Sequence, residues 1–298
     1  RSLIVTGVQT CALPISSFCA YHFLTVKPER LIIKSTNGLE RNPTQIINLG
    51  FGIEYDPAKA PHILVAGGTG SGKSVFIEML ITQFLKVGDV GDDIPEVYIC
   101  DPKNSDLSQL SHYFDETHVS SSLNGIAKIC RLVAEEMEAR YEFMQENFKY
   151  GSSYVDHDLL PVWLVFDEMG AFQANGTDKN SKAIVNEVMD YIRQIILKGR
   201  QAGVFILVSS QQMSANTLNT DLRDNLGLRV ALGANSQEGY KMVFGSASPT
   251  PQPIEEKGAG FLYLQGSGKE TAQYYEAPWV DREKYNFIEE IKKYTSVS

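Results

Sequence analysis

The sequence predicts an α/β fold in which a mainly parallel sheet is flanked by helices. Three observations support this prediction. Short apolar runs that suit buried strands alternate with longer segments in which apolar residues recur at helical spacing. A glycine-rich loop joins the first core strand to a helix, and two adjacent carboxylates end the third core strand. In a parallel sheet both features lie at the carboxyl ends of the strands, where we expect the functional site.

The elements are expected in the following order. Residues 17–55 carry many β-branched and aromatic residues between turn signals, which predicts a small β-rich lead-in. Core strands are predicted at residues 62–66, 96–100, 162–166 and 204–209, with shorter strands at 228–231 and 260–264. Helices are predicted at residues 75–86, 125–148, 182–201 and 281–294. We therefore expect one domain over residues 56–281 and a C-terminal helix in residues 282–298.

The first residues differ from the rest of the chain. Residues 5–15 read VTGVQTCALPI, which resembles the translation of a sequencing-library adapter joined in frame. We interpret residues 1–16 as a non-native, adapter-derived segment and exclude them from fold reasoning. The alternative is a natural strand-like N-terminus. On the first interpretation the native N-terminus, with any membrane anchor, lies outside this sequence.

Composition and charge limit the kinds of partner. The 298 residues are 43% hydrophobic, carry a formal net charge of −9 and have a sequence pI of about 5.1. A compact protein that contacts nucleic acid over its whole surface is usually basic, so any DNA contact is expected to be local or shared around an oligomer. The four cysteines show neither a C-x-x-C pair nor metal-ligand spacing, which fits a reducing cytoplasm.

The glycine-rich loop has the pattern G-x-x-x-x-G-K-[ST], in which backbone N–H groups and a helix N-terminus surround a phosphate chain. Lys73 would reach the β- and γ-phosphates of ATP, and the Ser74 hydroxyl would hold Mg²⁺. The predicted nucleotide-binding residues are Gly67, Gly68, Thr69, Gly70, Ser71, Gly72, Lys73, Ser74 and Val75.

The third core strand ends in Asp167 and Glu168, an arrangement that suits hydrolysis of ATP. Asp167 is expected to hold Mg²⁺, mostly through water, and Glu168 to orient and deprotonate the attacking water. An ordinary acidic strand end is the alternative, and the phosphate loop upstream favours the functional interpretation. Gln211, after the fourth strand, is placed to sense the γ-phosphate, although a simple loop amide fits the spacing nearly as well.

Two arginines are candidates for completing the nucleotide site of a neighbouring subunit. Arg200 lies at the end of a long predicted helix, and Arg229 lies in a predicted strand. An arginine supplied by a neighbour stabilises the negative charge of the transition state in phosphoryl transfer. For each of them a structural salt bridge or a surface charge is an equally good interpretation.

Together these residues resemble the FtsK/SpoIIIE family of DNA-translocating ATPases, over about three-quarters of the chain. The matching motifs, in family order, are PHILVAG running into GTGSGKSV, then DPK at 101–103, EMEARY at 136–141, the Asp167–Glu168 pair, GRQAG at 199–203 and GAGFLY at 258–263. The resemblance implies a RecA-like motor core that works as a homo-hexameric ring, with ATP at subunit interfaces and DNA, expected to be double-stranded, in the central pore.

One segment of the chain departs from the common family pattern, and it indicates which branch of the family the chain resembles. Where the chromosome-segregating members commonly have Thr-Gln-Arg-Pro, this chain has Ser210-Gln211-Gln212-Met213. The similarity is greater to the coupling ATPases of conjugative elements, which implies a cytoplasmic motor at the inner face of the cell membrane with a membrane anchor or secretion-channel partners. The first hypothesis is thus a DNA translocase acting in conjugative transfer or chromosome segregation. The alternatives are a related ATPase that exports protein, and a low-turnover nucleotide-binding scaffold.

Overall fold

The computed structural model describes residues 28–33, 45–86, 94–211, 213 and 217–295 of the chain. The segment 1–16 that we interpret as adapter-derived lies outside the described residues. Two parts of the lead-in, residues 17–27 and 34–44, also lie outside them.

The described residues contain short β-strands at both ends and long helices in the middle. The strands are β1 (Ile32–Ile33), β2 (Ile47–Gly50), β3 (Ile53–Tyr55), β4 (Ile63–Gly67), β5 (Glu96–Cys100), β6 (Val119–Ser120), β7 (Val162–Phe166), β8 (Val204–Ser210), β9 (Leu228–Leu232), β10 (Ala259–Leu264), β11 (Gln273–Glu276) and β12 (Trp279–Val280). The α-helices are α1 (Lys73–Lys86), α2 (Leu123–Glu146), α3 (Met169–Ala174), α4 (Lys179–Ala202), α5 (Thr220–Asp224), α6 (Gln237–Phe244) and α7 (Phe287–Ile291). Within these ranges no helix combines the length and the apolar character that crossing a membrane requires.

Eight of the strands in the described part of the chain form one sheet, in the order β11-β10-β9-β4-β8-β7-β5-β6. The six strands from β9 to β6 run parallel, while β10 and β11 add an antiparallel edge. The predicted mainly parallel sheet is therefore confirmed. The strand that leads into the glycine loop, β4, is not a neighbour of the acidic strand β7, because β8 lies between them.

Both faces of the sheet are covered, which explains why the parallel strands read as continuous apolar runs. In β8, Phe205 and Leu207 pack with the core on the α1 side, whereas Ile206 and Val208 belong to the core under α2 and α4. All four side chains are fully buried. The sheet is thus a rigid layer that fixes the position of every loop at its carboxyl edge.

The described part of the lead-in packs onto this domain at two places. The β2–β3 hairpin lies against β11, where the Tyr275 hydroxyl donates a hydrogen bond of 2.6 Å to the Leu49 carbonyl. β1 pairs in parallel with β12, with Ile32 opposite Trp279. The beginning and the end of the described chain therefore meet beside the main sheet.

The C-terminal segment is less helical than we expected. Residues 281–286 form turns, in which the Lys284 and Tyr285 N–H groups both bond to the Asp281 carbonyl, and the helix α7 covers only Phe287–Ile291. The prediction of a helix over 281–294 was therefore wrong in extent. The Asn286 side chain accepts hydrogen bonds from the Ile288 and Glu289 N–H groups and so begins the helix at this point.

The C-terminal segment is bound to α1 through buried polar contacts. Lys86, at the end of α1, forms an ion pair with Glu290, and each side chain is only 1% exposed. Burial lowers the pKa of Lys86, and the contact with Glu290 opposes that shift. Tyr285 and Thr82 share a hydrogen bond of 3.0 Å between their hydroxyls. The helix that begins at the glycine loop is therefore held at its far end by the C-terminal segment.

His62, just before β4, is a core histidine. Its side chain is fully buried, and its Nδ1 atom accepts a hydrogen bond of 3.2 Å from the Ile206 N–H group. Burial lowers the pKa of His62 from its usual 6.5 to about 3, because the interior disfavours the charged ring. These contacts indicate a structural role for His62.

We expect His62 to make the protein acid-sensitive. The unfolded chain takes up a proton at this residue near pH 6.5 and the folded chain only near pH 3. Stability is therefore lost as the pH falls between these values, by about 1.4 kcal/mol per pH unit. Urea unfolding between pH 7 and pH 4 measures this slope. His62→Asn, which can keep the hydrogen bond but cannot titrate, should flatten it, and the exposed-site control His112→Asn should not. Equal slopes in both variants would contradict the assignment.

Candidate active site

The loop between β4 and α1 is anchored at its far side to the residues before β10. The Gly258 N–H group bonds to the Ser71 carbonyl at 3.0 Å, and the Ser71 N–H group bonds to the Gly68 carbonyl at 3.1 Å. Gly72 has φ of +96°, and a Cβ atom there would lie 3.1 Å from the Gly258 Cα atom. A glycine is needed at position 72 both for its backbone conformation and for this close approach.

A cleft of about 360 Å³ opens in front of this loop. It brings together most of the residues that the sequence singled out: Gly68, Thr69, Gly70, Gly72, Lys73, Ser74, Val75, Asp167, Glu168 and Gln211. Gly67 lies at the end of β4, and the Ser71 hydroxyl is buried beneath the loop. The functional residues therefore converge at the carboxyl edge of the sheet.

The shape of the cleft fits a triphosphate. Gly68 lines the cleft, and a Cβ atom there would meet no protein atom within 4 Å, so no neighbouring side chain fills the space beside it. α1 begins at Lys73, which directs the N–H groups of its first turn toward the same space. The exposed Ser74 lines the cleft together with Asp167, as a shared Mg²⁺ site requires.

The Lys73 ammonium lies among the polar groups of two neighbouring strands. Its Nζ atom is 3.1 Å from the Asp167 Oδ1 atom, 3.0 Å from the Ser209 Oγ atom and 3.7 Å from the Glu168 Oε2 atom. The Ser209 hydroxyl also donates to Asp167. Lysine, serine and aspartate thus form one hydrogen-bonded group at the ends of α1, β8 and β7.

Glu168 is held by donors in an unusual backbone conformation. Its φ and ψ of 52° and 60° lie in the left-handed region, which is uncommon for a residue other than glycine and is found at functional sites. Its carboxylate accepts hydrogen bonds of 3.1 Å from the Ser210 hydroxyl and from the Gln211 N–H group. Only one side of the carboxylate group therefore remains toward the cleft, where Lys103 approaches it.

Lys103 contributes a cation that the sequence did not assign to the site. Its Nζ atom is 3.2 Å from the Glu168 Oε2 atom. The loop that carries it is fixed by Asp101, which is fully buried and accepts hydrogen bonds from the N–H groups of Lys103, Ser105 and Ser108. The Asp-Pro-Lys motif therefore works as a unit, in which the aspartate shapes the loop and the lysine reaches the catalytic candidate.

Ser209 and Ser210 are functional candidates that the sequence prediction missed. They end β8, the strand between the glycine-loop strand and the acidic strand, so their hydroxyls reach Asp167 and Glu168 respectively. The only local signal was a pair of hydroxyl residues at a strand end. Gln211, which we had chosen, lies at the cleft and bonds Glu168 through its backbone N–H group. Its role as a γ-phosphate sensor stays a prediction.

The two candidate arginines have different surroundings. Arg229 is buried within its own chain, where its Nη1 atom bonds to the Phe244 carbonyl at 3.1 Å and its guanidinium lies 4.7 Å from the ring centroid of Tyr263. These contacts favour the structural alternative for Arg229. Arg200 is exposed at the end of α4, and its Nε atom bonds to the Ala58 carbonyl at 2.8 Å. Arg200 remains the better candidate for reaching a neighbouring subunit.

The EMEARY motif at residues 136–141 has structural contacts. Arg140 binds Glu136 at 2.7 Å and donates to the carbonyls of Leu160 and Ala202, next to β7 and β8. The Tyr141 hydroxyl donates a hydrogen bond of 2.5 Å to the Lys198 carbonyl of α4. The motif therefore ties α2 to α4 and to the strands that carry the site.

Comparison with protein families and curated proteins gives consistent matches. The model of the FtsK/SpoIIIE family matches residues 40–232. The chain is 35% identical over 242 residues to the FtsK domain-containing protein YdcQ of Bacillus subtilis (strain 168), covering 80% of this chain and 47% of that protein. It is 28% identical over 261 residues to the DNA translocase FtsK of Streptococcus pneumoniae, covering 78% of this chain and 32% of that protein. The chain thus spans less than half the length of these curated relatives.

Comparison with solved structures shows the same fold. The pCW3 conjugation coupling protein TcpA, solved as a monomer with ATPγS, matches with a TM-score of 0.70 and 20% identity, over 89% of this chain and 74% of that one. EssC (ATPases 2 and 3) of Geobacillus thermodenitrificans matches with a TM-score of 0.64 and 17% identity, over 91% of this chain and 51% of that one. The RecA-like fold of P-loop ATPases, which the sequence resemblance implied, is confirmed.

Two glycines of the loop should behave differently when replaced by alanine. Gly72→Ala should destabilise the protein by about 1–3 kcal/mol, because alanine is strained at that φ and contacts Gly258. Gly68→Ala should change stability by less than about 0.5 kcal/mol, since its methyl group meets no protein atom. Because Gly68 lines the cleft, we expect the added methyl group to compete with the phosphates for space and to lower nucleotide affinity. Chemical denaturation and titration calorimetry with ATPγS measure the two effects. Normal nucleotide affinity in Gly68→Ala would contradict the placement of the phosphates.

Proposed function

The chain belongs to the FtsK/SpoIIIE family, and from this membership we propose that it is an ATP-hydrolysing motor domain that moves DNA. The observation that carries the proposal is the convergence of Lys73, Asp167, Glu168 and Ser209 at one edge of the sheet, in front of a loop shaped for phosphates. Family membership supplies the substrate class, since the fold alone serves several functions.

Each residue has a role that follows from its position. Lys73 would bind the β- and γ-phosphates, exchanging its present carboxylate contacts for phosphate oxygens. Ser74 and Asp167 would hold Mg²⁺ together with water and phosphate oxygens, and the ion would neutralise phosphate charge. Glu168 would take the proton of the attacking water. Phosphoryl transfer mainly needs positioning and charge stabilisation, which this set of residues can supply.

The resting arrangement of Glu168 suits controlled hydrolysis. Its carboxylate oxygens accept bonds from Ser210 and Gln211 and lie near two ammonium groups, those of Lys73 and Lys103. Binding of the phosphates would draw the Lys73 ammonium toward phosphate oxygens, so the surroundings of the Glu168 carboxylate would change when ATP is bound. Its contacts with Ser210, Gln211 and Lys103 would remain to hold it in position.

We propose DNA as the polymer, carried in the pore of a homo-hexamer. The curated relatives include DNA translocases, and a structural neighbour is a conjugation coupling protein. A net charge of −9 is compatible with DNA binding if each subunit contributes only a few phosphate contacts and the ring sums them. In this proposal Arg200 acts on the nucleotide of the next subunit. We also propose that the ring lies at the cytoplasmic face of a cell membrane, where it is held by a membrane anchor or by secretion-channel partners.

A second candidate is a motor that exports protein. A further structural neighbour is named as a secretion ATPase, the cytoplasmic domain of the type VII secretion ATPase EccC of Thermomonospora curvata, with a TM-score of 0.59 at 19% identity. A likeness at this level concerns the fold. The two candidates differ in one measurable property, since DNA should accelerate ATP hydrolysis by a DNA motor and leave an export motor unaffected.

We expect duplex DNA to stimulate ATP turnover by the purified protein, measured as phosphate release. Glu168→Gln should bind ATP normally and lose about 10²–10⁴-fold in turnover, because it cannot accept the proton. Lys73→Ala should weaken ATP binding and abolish turnover. Glu187→Gln, which removes a half-buried carboxylate of α4 that pairs with Arg131 away from the cleft, is the matched control and should behave as the wild type. An ATP turnover rate that is the same with and without DNA would favour the protein-export motor. Full activity of Glu168→Gln would favour the nucleotide-binding scaffold.

Mixing two inactive variants tests whether Arg200 acts across a subunit interface. Arg200→Ala should bind ATP and assemble but hydrolyse slowly, because the charge that builds up in the transition state is no longer compensated. Rings that mix Arg200→Ala with Lys73→Ala contain some interfaces in which both residues are intact. Turnover should therefore recover in the mixture, followed by phosphate release. No recovery, with mixed rings verified by native mass spectrometry, would count against the shared site.

A further inference from the structure

The glycine loop is supported from behind by the backbone of Gly258. The Gly258 N–H group donates a hydrogen bond of 3.0 Å to the Ser71 carbonyl, and a Cβ atom at Gly72 would lie only 3.1 Å from the Gly258 Cα atom. On its other side, the Gly258 carbonyl accepts a hydrogen bond of 2.8 Å from the Ala277 N–H group. The position of the loop therefore depends on what holds Gly258 in place.

The side chain that holds this backbone is that of Arg30. Its Nε atom donates a hydrogen bond of 2.7 Å to the Ala277 carbonyl, and its Nη2 atom donates one of 2.9 Å to the Lys257 carbonyl. One guanidinium thus joins the two chain segments that meet at Gly258. The planar, forked guanidinium is suited to this task, because it can donate to two acceptors in fixed directions.

The guanidinium also packs directly on Gly258. This residue has φ of +81°, and a side chain there would overlap the Arg30 Nη2 atom. Gly258 is therefore enclosed between Arg30 on one side and Gly72 on the other. Glycine at both positions allows the three layers to approach closely. If the guanidinium were removed, the backbone at Gly258 would be free to move away from the glycine loop.

Arg30 is itself held by the lead-in, 227 residues before Lys257 in the chain. The Trp279 N–H group donates to the Leu31 carbonyl at 2.8 Å, and the Asp281 N–H group donates to the Ile33 carbonyl at 3.0 Å. The guanidinium lies 5.2 Å from the ring centroid of Trp279, which stabilises its charge. The contact with Gly258 is therefore made by an ordered side chain of the N-terminal segment.

We propose that Arg30 is a positioning residue of the nucleotide site, which holds the glycine loop in its phosphate-binding conformation through Gly258. This inference rests on the proposed function, since it needs a ligand whose phosphates lie in the cleft. A loop that is ordered before binding loses little conformational freedom when the ligand arrives. Arg30 therefore acts on the affinity for phosphates and not on the proton transfer at Glu168.

Affinities and rates test this role. Arg30→Ala should raise the Kd for Mg²⁺-ATPγS and for Mg²⁺-tripolyphosphate about tenfold each, because both ligands must then order the loop. The KM for ATP should rise by the same factor, while kcat at saturating ATP stays nearly unchanged. Arg30→Lys keeps the charge but cannot join the two carbonyls, so it should raise both Kd values as well. Titration calorimetry and phosphate release measure these quantities.

Arg223 provides a matched control. Its guanidinium also packs on a glycine with positive φ, Gly245, and its Nη1 atom bonds to a backbone carbonyl, that of Lys241, at 3.3 Å. Arg223 does not line the cleft. Arg223→Ala should therefore lower the urea midpoint of unfolding and leave both Kd values as in the wild type. The comparison separates a specific effect on the loop from a general loss of stability.

Hydrogen exchange locates the effect in the chain. Without ligand, Arg30→Ala should exchange faster than the wild type in peptides that cover residues 67–72 and 256–258, and at wild-type rates in α2 and α4. Saturating Mg²⁺-ATPγS should restore the protection of the loop. Faster exchange over the whole chain would mean that Arg30 only supports the fold, and it would overturn the proposal.

The remaining results are equally decisive. Wild-type Kd values in folded Arg30→Ala, or a fall in kcat with unchanged Kd values, would overturn the role of Arg30 and leave the proposed function intact. If Arg30→Ala does not fold, Arg30→Lys decides, and wild-type Kd values in that variant would overturn the proposal. If the wild-type protein binds neither ATPγS nor tripolyphosphate, the proposed function fails together with this inference.

Discussion

The pair of carboxylates at the end of β7 is the feature on which the arrangement of the site depends. Asp167 and Glu168 are adjacent, and their side chains are only 14% and 8% exposed. Two like charges so placed are stable only when cations and hydrogen-bond donors surround them. They receive Lys73 from the start of α1, Lys103 from the loop after β5 and the Ser209 hydroxyl from the end of β8. The glycine loop and the order of the strands therefore place the cations and the hydroxyl group that stabilise the acidic pair.

The core strands are the part of the fold that the sequence predicts best. The strands expected at 96–100 and 162–166 coincide with β5 and β7, because a strand buried on both faces is a continuous apolar run with polar ends. The last helix was overestimated for the opposite reason. Its apolar spacing is present, but the Asp281 turn and the burial of Tyr285 against α1 are tertiary features that periodicity does not report. The short helices α3, α5 and α6 were missed because so few residues carry too little pattern.

For the site, local sequence identified the residues that lie in one motif and missed those that depend on strand order. Lys73 stands in the glycine loop and Asp167 beside Glu168, so each could be assigned a role from its neighbours. The contribution of Ser209 follows from β8 lying between β4 and β7, which no short segment of the sequence encodes. Lys103 was not assigned to the site because its partner, Glu168, lies far away along the chain. Both omissions concern contacts between strand ends that only the folded sheet brings together.

The buried ion pair between Lys86 and Glu290 limits how far the chain can be truncated at its C-terminal end. A fragment ending at residue 281, the predicted edge of the main domain, would lose Glu290 and with it the segment that covers Lys86 at the end of α1. The fragment would also lose the hydroxyl of Tyr285 that meets Thr82. The smallest piece of the chain suitable for expression and crystallisation should therefore extend beyond Ile291.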